Sequence, residues 1–278
     1  AESDHVDVAG IGRCLILPYR ISGGTGTDAR YVWTRRSVED RTWDSATSCH
    51  IDEIYLEAEP VDALMHLRGV DLQVFMDKAA SPPRGRIVLA ADEAHTPPLR
   101  TEWFVPIKPD PKRFPDYKPE FQHWTYTLNG KSVEVPPWKG TDFTGEGFST
   151  PGETGLTRYS ATVDTGRIEG SFTKDRVANA YVSHTRWSDV PALYFLEYLR
   201  MSPYVTGASS GEVTYSVDRD DPNTIDGQGR FEVRDGKFSE DFLYSKLQGE
   251  GSSDPVALPP SLRFSLLKSD IEFQRDIV

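Results

Sequence analysis

Residues 121–138 read FQHWTYTLNGKSVEVPPW, and the alternation there leaves few choices of fold. Side chains along a strand point to opposite faces in turn. Asn129-Gly130 is the dipeptide preferred in a two-residue type I′ turn, which needs positive φ at both central positions. A hairpin closed there sets Leu128 opposite Lys131, Tyr126 opposite Val133 and Trp124 opposite Val135. Trp124, Tyr126, Val133 and Val135 then share an apolar face. His123, Thr125, Thr127, Ser132 and Glu134 share a polar one. Such a pattern belongs to an antiparallel sheet with one side on a core and the other in water.

The same signals recur along the chain. Cys14–Leu17, 30–38, 48–58 and 85–91 read as strands, and 62–78 as two strand segments around Gly69 or a short helix at 61–67 followed by a strand. Residues 157–173 form a second hairpin around Asp164-Thr165-Gly166, and 229–246 a third around Asp235-Gly236. In the third, Arg230 falls opposite Asp241. Residues 180–187, 211–217 and 261–267 complete the strand set. The glycine- and threonine-rich stretches 22–28 and 139–156 read as loops. One helix is expected near 189–200, capped by Ser188 or Asp189 with Pro191 in its first turn. The fold class is therefore all-β, an antiparallel barrel or sandwich. Lipocalin-like barrels and jelly-roll-like sandwiches both accommodate the pattern. No repeat of fixed period appears, which counts against a propeller or solenoid.

A single large β domain over 1–278 accounts for the length, with any subdivision falling at the proline-rich segment 97–119. That segment holds seven prolines, which withhold the N–H a central strand needs. It also carries Trp103, Phe104, Phe114 and Tyr117, and reads as a strap across the sheet or the rim of a pocket.

Charge bounds the partners. The net charge is −12 and the isoelectric point about 5.0. Phosphate backbones demand clustered Lys and Arg, so nucleic acid is excluded as a partner class. Docking on anionic membranes is disfavoured for the same reason. No apolar run approaches the roughly 20 residues that span a bilayer, so no membrane insertion is expected. The opening Ala1-Glu2-Ser3-Asp4 suits a secreted chain after signal removal, or a soluble cytoplasmic one that has been trimmed. Cys14 and Cys49 are the only cysteines, as a disulfide or as two separate thiols.

No sequence motif announces chemistry. No Gly-x-Ser-x-Gly elbow, His-Glu-x-x-His, Walker loop or Cys-x-x-Cys is read, so no cofactor and no metal is expected. His50-x-Asp52 shows only two ligand types together, short of the three or more a site needs. The acidic run 218–226 has the oxygen density of a calcium loop without its spacing. The candidate catalytic residues are His184 and Arg186, which share a strand face and together suit a carbonyl or carboxylate, and His123, diagonal to Glu134 in the hairpin. The candidate ligand-binding residues are Trp124, Tyr126, Trp103 and Trp187. These features favour a small-molecule-binding β protein with an aromatic pocket, including a cofactor-independent cyclase, isomerase or hydratase. A secreted carbohydrate-active protein (lyase, hydrolase or binding module) is the second reading, and a structural or assembly subunit the third. The partner is accordingly a small organic ligand or a saccharide.

Overall fold

Alternating apolar and polar residues become antiparallel sheet almost throughout the computed structural model, which describes residues 2–3, 6–7, 19–22, 24–39, 41–58, 63–95, 123–135, 138–198, 205–218, 221–238 and 262–273. The strands are β1 (Glu2–Ser3), β2 (Val6–Asp7), β3 (Tyr19–Ser22), β4 (Thr25–Ser37), β5 (Thr42–Ala58), β6 (Ala63–Asp77), β7 (Arg84–His95) and β8 (His123–Val135). They continue as β9 (Trp138–Ser149), β10 (Glu153–Val163), β11 (Gly166–Asp175), β12 (Ala180–Pro191), β13 (Val205–Asp218), β14 (Asp221–Phe238) and β15 (Leu262–Phe273). One helix, α1 (Ala192–Tyr198), follows β12.

All fifteen strands join one sheet. Its path runs β1-β4-β5 and then in sequence order to β15, with β2 added to β4 and β3 to β5. Every pairing is antiparallel except β7 with β8. The path does not return from β15 to β1 among the described residues, so the barrel alternative gives way to an open, sandwich-like all-β arrangement. An open sheet this wide must coil or fold over itself. Two core clusters mark its halves. One gathers Ile51, Ile54, Leu67, Val70, Val74, Ile87, Trp124 and Tyr126 from β5–β8. The other gathers Val163, Ile168, Trp187 and Val190 from β10–β12. No helix among the described residues is long and apolar enough to cross a membrane.

The central hairpin is not formed. β8 runs straight through Asn129-Gly130, with Asn129 between Ala90 of β7 and Thr144 of β9. The third hairpin fails in the same way, since β14 continues through Asp235-Gly236 to Phe238. Arg230 there lies between Glu212 and Asp270 rather than opposite Asp241, and residues 239–246 fall outside the described set. Only the second hairpin forms as read, with Val163 paired to Gly166 and Asp164 at φ 52°. The supposed loop at 139–156 is mostly β9 and the start of β10, and Thr25–Asp28 belong to β4. No helix forms at 63–67, where β6 is already extended. Ser188 and Asp189 do not cap a helix: they form an irregularity in the β12–β13 ladder, and the strand continues through Pro191. The Cys14–Leu17 strand and the 97–119 segment lie outside the described residues.

What replaces the central turn is a crease. Register is continuous across β5–β8, yet one row is missing from the paired positions: Asp52, Gly69, Asp92 and Lys131. At that row two successive residues of β5, β7 and β8 point outward, as in Ile51-Asp52-Glu53-Ile54, where only the isoleucines are buried. Resetting one strand alone would send its apolar set to the wrong face. All four reset together, so the core face is kept on both sides. Gly69 makes this possible with φ 57°, and a Cβ there would stand 2.6 Å from an Asp92 carboxylate oxygen. Lys131 closes the row on Asp92 at 2.6 Å.

Candidate functional site

Beyond the crease, at the end where β8 begins, alternation sorts the strands cleanly. Ser45, Met76, Gly85 and Trp124 occupy one row and turn to the core. The rows on either side turn the other way. One holds Asp44, Asp77, Arg84 and His123 as successive register neighbours. The next holds Ala46, Phe75, Arg86, Thr125 and Phe148. With Val32 and Thr34 of β4 they line a partly open cleft of about 700 Å³. That lies within the size range of small-molecule sites.

Its charges are unevenly committed. Asp44 accepts from Arg36 Nε at 2.6 Å, and this partnership raises the guanidinium pKa above its ordinary value. Asp77 Oδ1 accepts the Ala79 and Ala80 backbone N–H groups at 2.9 and 3.2 Å, holding the turn into β7. Arg86 lies over the Phe75 ring, 4.3 Å from its centroid. Among the described residues, the side chains of Arg84 and His123 enter no ion pair or hydrogen bond. Beneath them Trp124 is 3% exposed and packs on Gly85, where a Cβ would sit 2.3 Å from the indole.

The nominated residues are not brought together. His123 and Trp124 line this cleft, while Tyr126 is buried in the first core. His123 and Glu134 are not diagonal partners: they stand at opposite ends of one strand, roughly 36 Å apart at 3.3 Å per residue. His184, Arg186 and Trp187 sit on β12, with β9–β11 between them and β8. His184 Nδ1 contacts Thr214 Oγ1 at 2.8 Å. Arg186 is held by Glu212, which also binds Arg230. Both arginines hold the Glu212 carboxyl below its usual range. Trp187 points the other way, into the second core, and donates Nε1–H to Ser209 Oγ at 3.2 Å. Trp103 lies outside the described residues.

The absence of a Gly-x-Ser-x-Gly spelling needs correction at Ser209, because Gly207-Ala208-Ser209-Ser210-Gly211 has it. The spelling has no elbow behind it. It lies inside β13, and the Ser209 hydroxyl is buried and donates to the Val190 carbonyl at 2.7 Å. Its role is structural.

A second polar group forms at the far end of β5–β8, and sequence reasoning missed it. His66 stacks on Tyr55 with centroids 4.6 Å apart and touches Glu53. His95 stands 3.3 Å from Glu134 and 3.6 Å from Glu93. Lys139 and His95 hold the Glu134 carboxyl below its usual range, Lys139 most strongly. Only the long-range register of β5–β9 brings these residues together. His50 turns from Asp52, 3.8 Å away, to Asp71 at 2.9 Å, and that hydrogen bond raises its pKa. No three His, Cys, Asp or Glu side chains among the described residues assemble a group that could hold a metal. Cys49 is a buried free thiol whose pKa is raised by burial, and Cys14 lies outside the described residues.

Fold and site together define an open all-β sheet with a cleft at one end of its first half. No protein-family model, curated protein or solved structure matches the chain.

Proposed function

We propose that the protein binds a small organic molecule in the cleft above Trp124. Any reaction carried out there is of the cofactor-independent isomerase, cyclase or hydratase type, with His123 as the proton-carrying group. The observation that carries this reading is the cleft itself. About 700 Å³ is lined by residues that include Phe75 and Phe148 of an outward-turned row, with His123 left uncommitted at its edge and the core-facing Trp124 row beneath. Apolar walls with a few convergent polar groups are the usual makeup of such a site. Sugar hydroxyls are usually met by side-chain amides, and the described lining contains neither Asn nor Gln, which ranks the carbohydrate reading second. Thermal-shift screening tests the choice. Small aromatic and alicyclic compounds are expected to raise the melting temperature of the wild type, and to lose that effect in Phe148→Glu. Stabilisation by oligosaccharides alone would overturn it.

A further inference from the structure

We infer that the ligand of this cleft carries an anionic group, a carboxylate or sulfonate on an apolar body, held between Arg84 and Arg86. The inference rests on the cleft being the ligand site. Arg84 and Arg86 are two apart on β7, so both side chains leave the same face of the sheet. His123 lies beside Arg84 in the register and Thr125 beside Arg86. The nearest acids are already engaged. Asp44 is taken by Arg36, and Asp77, opposite Arg84 in the register, spends Oδ1 on two turn amides and makes no ion pair with Arg84. Arg86 is positioned by the Phe75 ring rather than by a carboxylate, which leaves its N–H donors unspent. In a chain of net charge −12, two guanidinium groups that form no ion pair among the described residues flank the cleft. A guanidinium offers planar paired donors that match a carboxylate or sulfonate edge. An anion seated there would place the rest of its molecule over Phe75 and Phe148, within reach of His123.

Two fluorescent probes of nearly equal shape test this: 8-anilino-1-naphthalenesulfonate, an anion, and N-phenyl-1-naphthylamine, its neutral counterpart. Both are titrated into the full chain at low salt, with Phe148→Glu locating their site. The Arg84→Gln, Arg86→Gln double variant is expected to weaken the anion about tenfold and leave the neutral probe unchanged. Both substitutions are on exposed side chains, and circular-dichroism melting verifies that the variant is folded. Salt should weaken the anion selectively as well. If both probes bind, both respond to Phe148→Glu, and the arginine variant affects them equally or not at all, the anion assignment falls while the ligand site stands. If neither probe responds to Phe148→Glu, the site itself is wrong and the assignment falls with it.

Discussion

Replacing Gly85 by alanine adds one methyl group to the core side of the sheet beneath the cleft. A Cβ at this position would lie 2.3 Å from two ring carbons of Trp124 and 2.7 Å from a third. Carbon atoms rest at about 3.5–4.0 Å, so the indole must move by more than about 1 Å. It has little room: Trp124 is 3% exposed and belongs to the core cluster with Met76, Ile87 and Tyr126. Nor can the glycine backbone retreat, because it is paired with Met76 on one side and Trp124 on the other. Overpacking of this kind costs about 1–3 kcal/mol. Expelling the whole indole sets the ceiling, about 4–6 kcal/mol for 150–250 Å² at 25 cal/mol/Å². The expected loss is therefore about 2–4 kcal/mol. Its sign is diagnostic, since Gly→Ala inside an ordinary strand is worth about 0.5–1 kcal/mol in the stabilising direction. Urea unfolding monitored by tryptophan fluorescence and circular dichroism measures it. In a Trp124→Leu background the same change should cost less than about 1 kcal/mol, giving a coupling of at least about 1 kcal/mol. A neutral or stabilising Gly85→Ala, or strict additivity with Trp124→Leu, would refute the close glycine–indole contact.

Three further outcomes follow from the geometry. Asn129 and Gly130 amides, flanked by strands on both sides, should exchange with deuterium about a thousandfold or more slower than a free chain, whereas turn amides would exchange within seconds. Ser209→Ala removes the acceptor for the buried Trp187 N–H and the donor to the Val190 carbonyl, and should lower unfolding stability by about 2–3 kcal/mol in urea titration. His50 should titrate above the ordinary histidine value by NMR, and Asp71→Asn should return it towards that value. Because its folded pKa is raised, its contribution to stability is full below the unfolded value and fades as pH rises through the folded one.

Much of the strand content was legible because alternation is a local property. Alternation puts Trp124, Tyr126, Val133 and Val135 on one apolar face; the first three do pack in the first core, while Val135 is half-buried and outside it. Those three share a face although no turn forms at Asn129-Gly130. A two-residue turn and a crease both shift the alternation by one step, so the same residues end up together. What separates the two is whether β7 and β9 flank Asn129-Gly130, and that pairing is long-range. Gly147 misled for a related reason. It reads as loop, but in β9 its bare backbone lets Gly155 approach, where a Cβ would stand 2.6 Å from the carbonyl oxygen. The candidate site was legible only in pieces. His123 and Trp124 were nominated from their own strand. Arg84, Arg86 and Phe75 were not, because nothing in their local sequence reveals that β7 pairs in parallel with a strand separated from it by 27 residues. His184 and Arg186 look reactive as neighbours, but their cross-strand partners are Thr214 and Glu212, the latter in a row of alternating charge with Arg186 and Arg230.

The most direct test of the cleft as a ligand site is amide chemical-shift mapping on the isotope-labelled chain with the most stabilising compound from the thermal-shift screen. The largest changes are expected at Gly85, Arg86, Trp124, Thr125 and Phe148, with β12–β14 unmoved. Changes centred instead on His184, Arg186 and their neighbours in β13, or spread evenly over the sheet, would contradict the assignment.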